Sequence, residues 1–401
     1  MKKTVVNKPL MTKPNLNRRN FLKLAGLGTI SSAGLLSIGG LSGCTVSEIR
    51  RGITTSHQLY KGNVSQAISA QVPGTGIPEF DTLVRKQLAQ FIDEIASNWS
   101  DKKTASPKAY VKYTDHYQSR AIIDFSNGLI QVETVSQQNP KTALKQAIVQ
   151  TLLTPEDPSQ VDLFSAKEPT TGATPFLLDL VRDRDNKQIR YKWRAERFAD
   201  YLIQHRYKTQ KDNSKTRHSV SFKMVNDYQN QQKRHYQFDV IKQSKRFRLE
   251  PALVYGIIET ESSFNPYAVS SAPAYGLMQI VPTTAGRDVY RLLNKRDGIP
   301  SKNLLFIPAR NIEYGTAYLS ILFNKYLAGI RNSKSKEYCV IAAYNTGSGN
   351  VLQAFDNNRA RALDKINRLS SHQVYQHLVK NLSSSEARNY LTKVTRNKQN
   401  Y

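Results

Sequence analysis

The spacing of hydrophobic and polar positions changes near the middle of the chain. Upstream of about residue 225, short runs alternate between apolar and polar side chains, which is typical of half-buried strands. The clearest of these runs are Tyr110–Tyr113, Arg120–Phe125 and Leu129–Val135. Downstream of Tyr228 the apolar positions recur at helical spacing. The pattern predicts a small α+β domain over residues 76–225 and a mainly α-helical domain over residues 226–401.

Local signals add detail to the first domain. Asn127-Gly128 separates two alternating runs, which predicts a β-hairpin. Helices are predicted from about Pro78 to Trp99 and over Ala143–Leu153, and a further strand over Arg217–Val225. The segment Arg190–Lys215 interleaves Arg and Lys with aromatic residues. Such a segment could bind a polymer by stacking, but a solvated basic helix is the simpler interpretation.

A stretch of the second domain carries the candidate chemistry. Pro251 suits a first helical position, and apolar residues then follow at helical spacing until Glu261. A glutamate among aliphatic neighbours loses hydration, which raises its pKa and favours a proton-donating form. Glu261 is therefore the candidate catalytic acid, and Glu259 faces roughly the opposite side. The alternative is a carboxylate in an ion pair or at a solvated helix end.

Residues after Glu261 indicate a groove wall. Asn265-Pro266 should end the helix, Gly276 allows a close backbone approach, and Pro282 starts another helical segment. A helix, a long loop and a second helix can enclose a carboxylate.

Two later helical segments could complete the groove. The segment Asn311–Leu322 places Gly315 on an apolar stripe, where a glycine permits close helix packing. The same segment carries the acid Glu313, which is more simply explained as an exposed helix carboxylate. Tyr338–Asn345 reads as a buried helix that ends at Gly347, a favourable C-cap. Tyr344 and Asn345 would then lie at the mouth of a helix.

Charge narrows the classes of partner. The chain has 401 residues, with 58 Lys and Arg against 31 Asp and Glu, a net charge of +27. Residues 1–43 hold seven of the basic residues and no acid, so 51 against 31 remain after them, a net +20. Such a surface suits nucleic acid, anionic lipid or anionic cell-wall polymer.

The N-terminal residues predict export, which argues against nucleic acid as a partner. Residues 1–43 combine Arg18-Arg19 with a mildly apolar run, as in a twin-arginine signal or an ordinary secretory signal. Leu41-Ser42-Gly43-Cys44 has the form of a lipoprotein motif, in which Cys44 is acylated and anchors the chain to a membrane. Thr45 in place of Asp predicts the periplasmic face of the outer membrane, and residues 44–75 read as a tether.

The second cysteine is not expected to be chemically active. Cys339 lies in an apolar helical run, which predicts a buried free thiol. No disulfide, metal cluster or cofactor motif is predicted, and the oligomeric state is left open.

Four ordered segments resemble one known family. They are Glu261–Pro266 with Ser270 and the run from Ala274 to Ala285, then Asn311–Leu319, Ala342–Gly347 and Glu386–Val394. These segments resemble the motifs of soluble-lytic-transglycosylase-type murein transglycosylases, relatives of goose-type lysozyme. The N-terminal half and the lipoprotein motif point to the membrane-bound members. The resemblance implies a lysozyme-like helical fold for the second domain.

The resemblance also implies an activity and a set of roles. It implies non-hydrolytic cleavage of the MurNAc–GlcNAc β-1,4 bond of peptidoglycan, with Glu261 as acid and base and a 1,6-anhydro-MurNAc product. Ser270 and Gln279 would bind sugar and acetamido groups, Tyr344 would orient Glu261, and Tyr390 would position the muramyl ring, with Asn345 also in the groove. Two alternatives stay open: a hydrolase of the same fold, and a non-catalytic wall-binding lipoprotein.

Overall fold

The computed structural model describes residues 89–270 and 274–401. The export signal, Cys44, the tether to residue 75 and the first part of the helix predicted from Pro78 lie outside the described residues. The remainder of that helix, α1, covers residues 89–98.

One antiparallel sheet forms the centre of the first half. Its five strands have the order β1-β2-β3-β5-β4. They are β1 (Ala109–Thr114), β2 (Ser119–Asp124), β3 (Leu129–Thr134), β4 (Lys208–Asp212) and β5 (Lys215–Lys223). Gly128, with φ 62°, lies in the predicted hairpin between β2 and β3. The sequence did not predict β4, because this edge strand, KTQKD, contains no hydrophobic residue.

Helices cover both faces of the sheet. On one face, α2 (Pro140–Leu152) and α3 (Lys192–Arg206) pack over inward side chains such as Tyr110 and Ile123. On the other face, α1 packs over Val111 and Tyr113. Alternating side chains of β1 therefore enter two different cores, as the period of two requires. The basic segment is confirmed as helical over Lys192–Arg206, and the following residues form β4 and the start of β5.

The second half is helical, as predicted. Its helices are α4 (Tyr228–His235), α5 (Gln237–Phe247), α6 (Pro251–Ser262), α7 (Arg287–Asn294), α8 (Lys302–Phe306), α9 (Pro308–Ile321), α10 (Ser333–Thr346), α11 (Ser348–Gln353), α12 (Arg359–Arg368), α13 (Ser371–Asn381) and α14 (Ser385–Asn397). The segment that starts at Pro282 is one π-helical turn, Pro282–Gly286, which leads into α7. Cys339 is buried in α10, and this burial raises the pKa of its thiol.

The two halves meet beside the end of α6. The Tyr110 ring of the sheet packs edge-on against Tyr267, with centroids 5.0 Å apart. The Tyr267 hydroxyl donates to the carbonyl oxygen of Pro155, and Asn265 Nδ2 donates to the carbonyl oxygen of Pro107 at 3.1 Å. The loop that follows Glu261 is thus held by the sheet domain, and both halves contribute to one hydrophobic core.

Candidate active site

Glu261 lies in the last turn of α6, a largely buried helix. Val254, Ile257 and Ile258 are fully buried, whereas Glu261 is half-buried. The helix ends at Ser262, and its C-cap residue Ser263 has a left-handed backbone with φ 49°. The hydroxyl of Tyr390, from α14, donates to Glu261 Oε1 at 2.9 Å. The structure thus places a hydroxyl donor from a distant helix on the candidate acid.

Glu259 has a different environment, on another face of α6. The hydroxyl of Tyr401 donates to Glu259 Oε2 at 2.9 Å. The Tyr401 ring stacks on Tyr255 with centroids 4.9 Å apart, and burial together with Glu259 raises the pKa of Tyr401. The prediction that the two glutamates face different sides is confirmed.

The loop after α6 makes a close backbone approach at Gly276. This residue has φ +73°, and a Cβ added there would lie 2.4 Å from Asn311 Nδ2 and 2.7 Å from the carbonyl oxygen of Leu305. Asn311 is fully buried in α9, and its Nδ2 donates to the carbonyl oxygens of Tyr275 and Leu305, both at 2.7 Å. Its Oδ1 accepts from the backbone N–H of Met278 at 2.7 Å. Asn311 therefore fixes the loop, a role that the sequence reasoning missed.

Gln279 is one of the residues that line a recess. The recess is lined by Gln279, Ile280, Val281, Thr284, Ala285, Tyr318 and Tyr344. Gln279 Nε2 donates to the carbonyl oxygens of Ala268 at 3.1 Å and Gly276 at 3.0 Å. Its buried Oε1 has no hydrogen-bond partner among the residues that the structure describes. An acceptor left in this way can receive a donor from a ligand, because burial without a partner is costly.

Tyr344 and Asn345 lie at the end of α10, as predicted, and Gly347 follows with φ 87°. The Tyr344 hydroxyl donates to the carbonyl oxygen of Met278 at 2.8 Å, which ties α10 to the Gly276 loop. Asn345 Nδ2 donates to Glu386 Oε1 at 3.1 Å, at the start of the helix that carries Tyr390. The role of Tyr344 toward Glu261 and that of Tyr390 toward the muramyl ring stay predictions.

Ser270 directly precedes residues 271–273, which lie outside the described part of the chain. Its backbone N–H donates to the carbonyl oxygen of Ala274 at 3.2 Å. Its Oγ accepts from the backbone N–H of Ala274 at 3.3 Å. Ser270 is thus hydrogen-bonded to Ala274 in two ways, and a contact between Ser270 and a sugar stays a prediction.

Glu313 is a buried, ion-paired carboxylate, so the prediction of an exposed helix carboxylate is wrong. Arg246 and Arg310 donate to its two oxygens at 2.5 and 2.9 Å. Burial raises the pKa of Glu313, but hydrogen bonds from Arg310 and Arg246 and their charges outweigh it, so the pKa is lowered. A carboxylate held ionised by two arginines has the character of a structural group. Within residues 89–270 and 274–401, no group of three or more His, Cys, Asp or Glu could hold a metal ion.

Two family models match the chain in series. Residues 78–236 match the N-terminal domain of membrane-bound lytic murein transglycosylase C. Residues 239–367 match the transglycosylase SLT domain. The helical half is therefore a domain of the lytic transglycosylase class.

Relatives agree with both matches. Membrane-bound lytic murein transglycosylase C of Klebsiella pneumoniae subsp. pneumoniae is 43% identical over 317 residues, which cover 78% of this chain and 88% of the relative. The protein of the same name from Yersinia pestis has the same identity and coverage. The chain belongs to the membrane-bound lytic murein transglycosylase C family. The resemblance drawn from the four motifs and the N-terminal half is confirmed.

Solved structures of lytic transglycosylases overlap part of the chain. An inactive mutant of lytic transglycosylase Slt from Pseudomonas aeruginosa is 26% identical, with a TM-score of 0.31 over 41% of this chain and 23% of that one. The 70 kDa soluble lytic transglycosylase of Escherichia coli is 25% identical, with the same TM-score and coverage.

Proposed function

We propose that this protein is a peptidoglycan lytic transglycosylase that cleaves the MurNAc–GlcNAc β-1,4 bond without water. The family supports the reaction class, since its members are named as lytic murein transglycosylases. The observation that carries the assignment of the acid is the position of Glu261, half-buried at a helix end with a tyrosine hydroxyl on its carboxylate.

In the proposed reaction one carboxylate serves twice. Protonated Glu261 gives its proton to the glycosidic oxygen as the bond between that oxygen and C1 of the muramyl residue breaks. The ionised Glu261 then takes the proton of the muramyl C6 hydroxyl, whose oxygen forms a new bond to C1. The products are a GlcNAc-terminated strand and a 1,6-anhydro-muramyl end, and Glu261 is protonated again.

The surrounding acids support this one-carboxylate scheme. A glycoside hydrolase ordinarily uses two carboxylates that flank the bond. Glu259 accepts from Tyr401 on another face of α6, and Glu313 is paired with Arg246 and Arg310. The acetamido group of the muramyl residue can stabilise the cationic centre in place of a second acid.

Substrate contacts are assigned to the groove residues. Gln279 has a buried amide oxygen that can accept the N–H of an acetamido group, and it shares its recess with Tyr344. Ser270, Asn345 and Tyr390 complete the proposed set. Tyr390 supports Glu261 directly and contacts the sugar from the same position.

The products test the reaction, and Glu261→Gln tests the acid. Digestion of purified sacculi, followed by mass spectrometry of muropeptides, should give anhydro-muramyl ends with wild type. The near-isosteric Glu261→Gln variant should lose more than about 100-fold in turnover, the low end for a general acid. Reducing ends in place of anhydro ends would instead identify a lysozyme-like hydrolase. More than a tenth of wild-type activity in a folded Glu261→Gln variant would remove this residue from its role.

We also propose that Cys44 carries a lipid that holds the enzyme on the periplasmic face of the outer membrane. The relatives are named as membrane-bound, and the described residues include no helix that is long and apolar enough to cross a bilayer. A Cys44→Ala variant should leave the membrane fraction and keep its activity. Its recovery in the outer membrane at high salt would contradict a lipid anchor.

A further inference from the structure

A tight turn of the sheet domain presents a lysine to the catalytic helix. The backbone N–H of Ser106 donates to the carbonyl oxygen of Ala109 at 2.9 Å, and the N–H of Ala109 donates back at 3.3 Å. Pro107 suits the second position of such a turn. The carbonyl oxygen of Lys108 accepts from the backbone N–H of Phe125 at 3.0 Å. The sheet thus fixes the backbone of Lys108.

The Lys108 side chain reaches the C-terminal end of α6. Its Nζ donates to the carbonyl oxygen of Glu259 at 3.4 Å, two residues before Glu261. Carbonyl oxygens at this end of a helix carry a partial negative charge, which attracts a cation and opposes an anion. Burial and the charge of Lys393 lower the pKa of Lys108, whereas Glu259, Glu261 and Asp124 act in the opposite direction. The lysine is half-buried, and its charge interacts with the catalytic carboxylate.

A second contact joins the Ser106–Ala109 turn to the loop that follows α6. Asn265, four residues after Glu261, is fully buried. Its Nδ2 donates to the carbonyl oxygen of Pro107 at 3.1 Å, and its Oδ1 accepts from the backbone N–H of Tyr267 at 3.0 Å. Pro107, which precedes Lys108, and Asn265, which follows α6, are thus joined by a direct hydrogen bond.

We propose that Lys108 is a positioning residue that stabilises the ionised form of Glu261 between the two proton transfers. The inference rests on the proposed function. Glu261 must lose a proton in the first step, yet the helix dipole opposes a negative charge in the last turn of α6. A fixed cation at the same helix end offsets this opposition. The sheet domain thereby contributes an electrostatic component to a site on the helical domain.

Several other charged or titratable groups surround this helix end. They are Asp124 at the end of β2, Tyr228 at the start of α4, Glu259 and Tyr401 on another face of α6, and Tyr390 and Lys393 on α14. Lys393 is exposed, so solvent screens its charge more than that of Lys108. Lys108 is the cation that makes a hydrogen bond to α6 in this group.

The test compares three variants of the full-length protein on soluble glycan strands. Lys108→Met removes the charge and keeps much of the length, Lys108→Arg keeps the charge, and Lys223→Met removes an exposed lysine at the end of β5. With Lys108→Met, kcat should fall roughly three- to thirtyfold with little change in KM, the upper part of the range for a charge near a helix end. The alkaline limb of the pH–rate profile should move to higher pH by about half a unit or more, because loss of the cation disfavours ionised Glu261.

The outcomes separate the inference from the function on which it rests. Lys108→Arg should keep kcat within about threefold of wild type and restore the wild-type pH–rate profile. Lys223→Met should match wild type in both kcat and pH–rate profile. Melting temperatures of all variants control for folding. A Lys108→Met profile that superimposes on the wild-type profile overturns the inference and leaves the lytic activity untouched. A loss of kcat without a displaced alkaline limb, or without rescue by Arg, also overturns it. Absence of anhydro products with wild type would instead overturn the proposed function.

Discussion

The hydroxyl of Tyr390 lies 2.9 Å from Oε1 of Glu261, across 129 positions of sequence. A comparable pair lies on another face of the same helix, where Tyr401 donates to Glu259 at 2.9 Å. The two pairs present similar chemistry in different places, and only the first involves the proposed acid. The two tyrosine–glutamate pairs therefore allow a matched comparison of two Tyr→Phe variants.

Tyr390→Phe should lower turnover by about tenfold or more, because a hydrogen bond to a charged group is worth about 1.5–3 kcal/mol. Tyr401→Phe removes the corresponding bond from Glu259 and should leave kcat nearly unchanged. Turnover of both variants on sacculi, with melting temperatures as a control for folding, measures the difference. Equal losses of activity in the two variants would show that Tyr390 acts through general support of α6 and not through Glu261.

The pairing of Tyr390 with Glu261 shows which parts of the site could be predicted from the sequence. The stripe from Val254 to Glu261 predicts the helix and the position of its carboxylate, since both follow from local spacing. The resemblance placed Tyr390 in the groove. Its bond to Glu261 depends on how α14 packs against α6, which no local pattern specifies.

Lys108 and Asn311 were missed for related reasons. Lys108 lies in a turn of the other domain, and its meaning depends on where the sheet meets α6. Asn311 begins a recognised segment, but its three hydrogen bonds to the Gly276 loop and to Leu305 appear only in three dimensions. A polar residue on an otherwise apolar helical stripe is the one signal that could have flagged it.

Glu313→Gln tests whether a second acid takes part in catalysis. The variant should keep at least half of wild-type turnover, because Arg246 and Arg310 already occupy both oxygens of Glu313. Its free energy of unfolding at pH 7 should be lower by about 1 kcal/mol, because Arg246 and Arg310 are half exposed and solvent screens their charges. A large loss of turnover without a loss of stability would favour the two-carboxylate hydrolase.

The pH dependence of this stability difference has a defined sign. The pKa of Glu313 in the folded protein is below its ordinary value of 4.5. Its stabilising contribution is therefore fully present above that value and is lost as the pH falls through the folded pKa. Denaturant unfolding of both proteins should show the full difference at pH 7 and a shrinking difference below about pH 4.5. A difference that grows on acidification would contradict the ion pairs.

Gly276→Ala should disturb the loop that positions Gln279. A left-handed backbone costs a non-glycine residue about 1–2 kcal/mol, and the added Cβ would also meet Asn311 and the carbonyl oxygen of Leu305. We expect the free energy of unfolding to fall by about 2 kcal/mol or more and turnover to fall with it. Gly349→Ala is the control, since no atom other than those of its chain neighbours and its own helix backbone lies within 4 Å of its added Cβ. A Gly276→Ala protein as stable as the Gly349→Ala protein would contradict the close approach.

The basic surface around α3 should hold the enzyme near anionic wall polymer. Arg190 and Trp193 are exposed near the start of α3, with Trp193 54% exposed, and Arg206 and Lys208 are exposed at its end. Arg194 is a poor choice for substitution, because it bonds the buried Asp183 at 2.5 Å and its loss would leave that carboxylate less well paired.

Replacing Arg190, Arg206 and Lys208 with Gln should therefore weaken binding to intact sacculi at low salt, with little effect on cleavage of a short glycan with uncharged stems. Added salt should weaken wild-type binding in the same way, because exposed charges are screened beyond about 8 Å at physiological ionic strength. The matched control replaces Arg331, Lys380 and Arg396, exposed residues of the helical domain, with the same change of charge. Cosedimentation with sacculi measures both triple variants. If the two triple variants lose binding equally, the net charge of the protein and not this surface holds the enzyme on sacculi. If neither variant loses binding and salt has no effect, the basic surface has another partner. Anionic lipid vesicles are then the next partner to test.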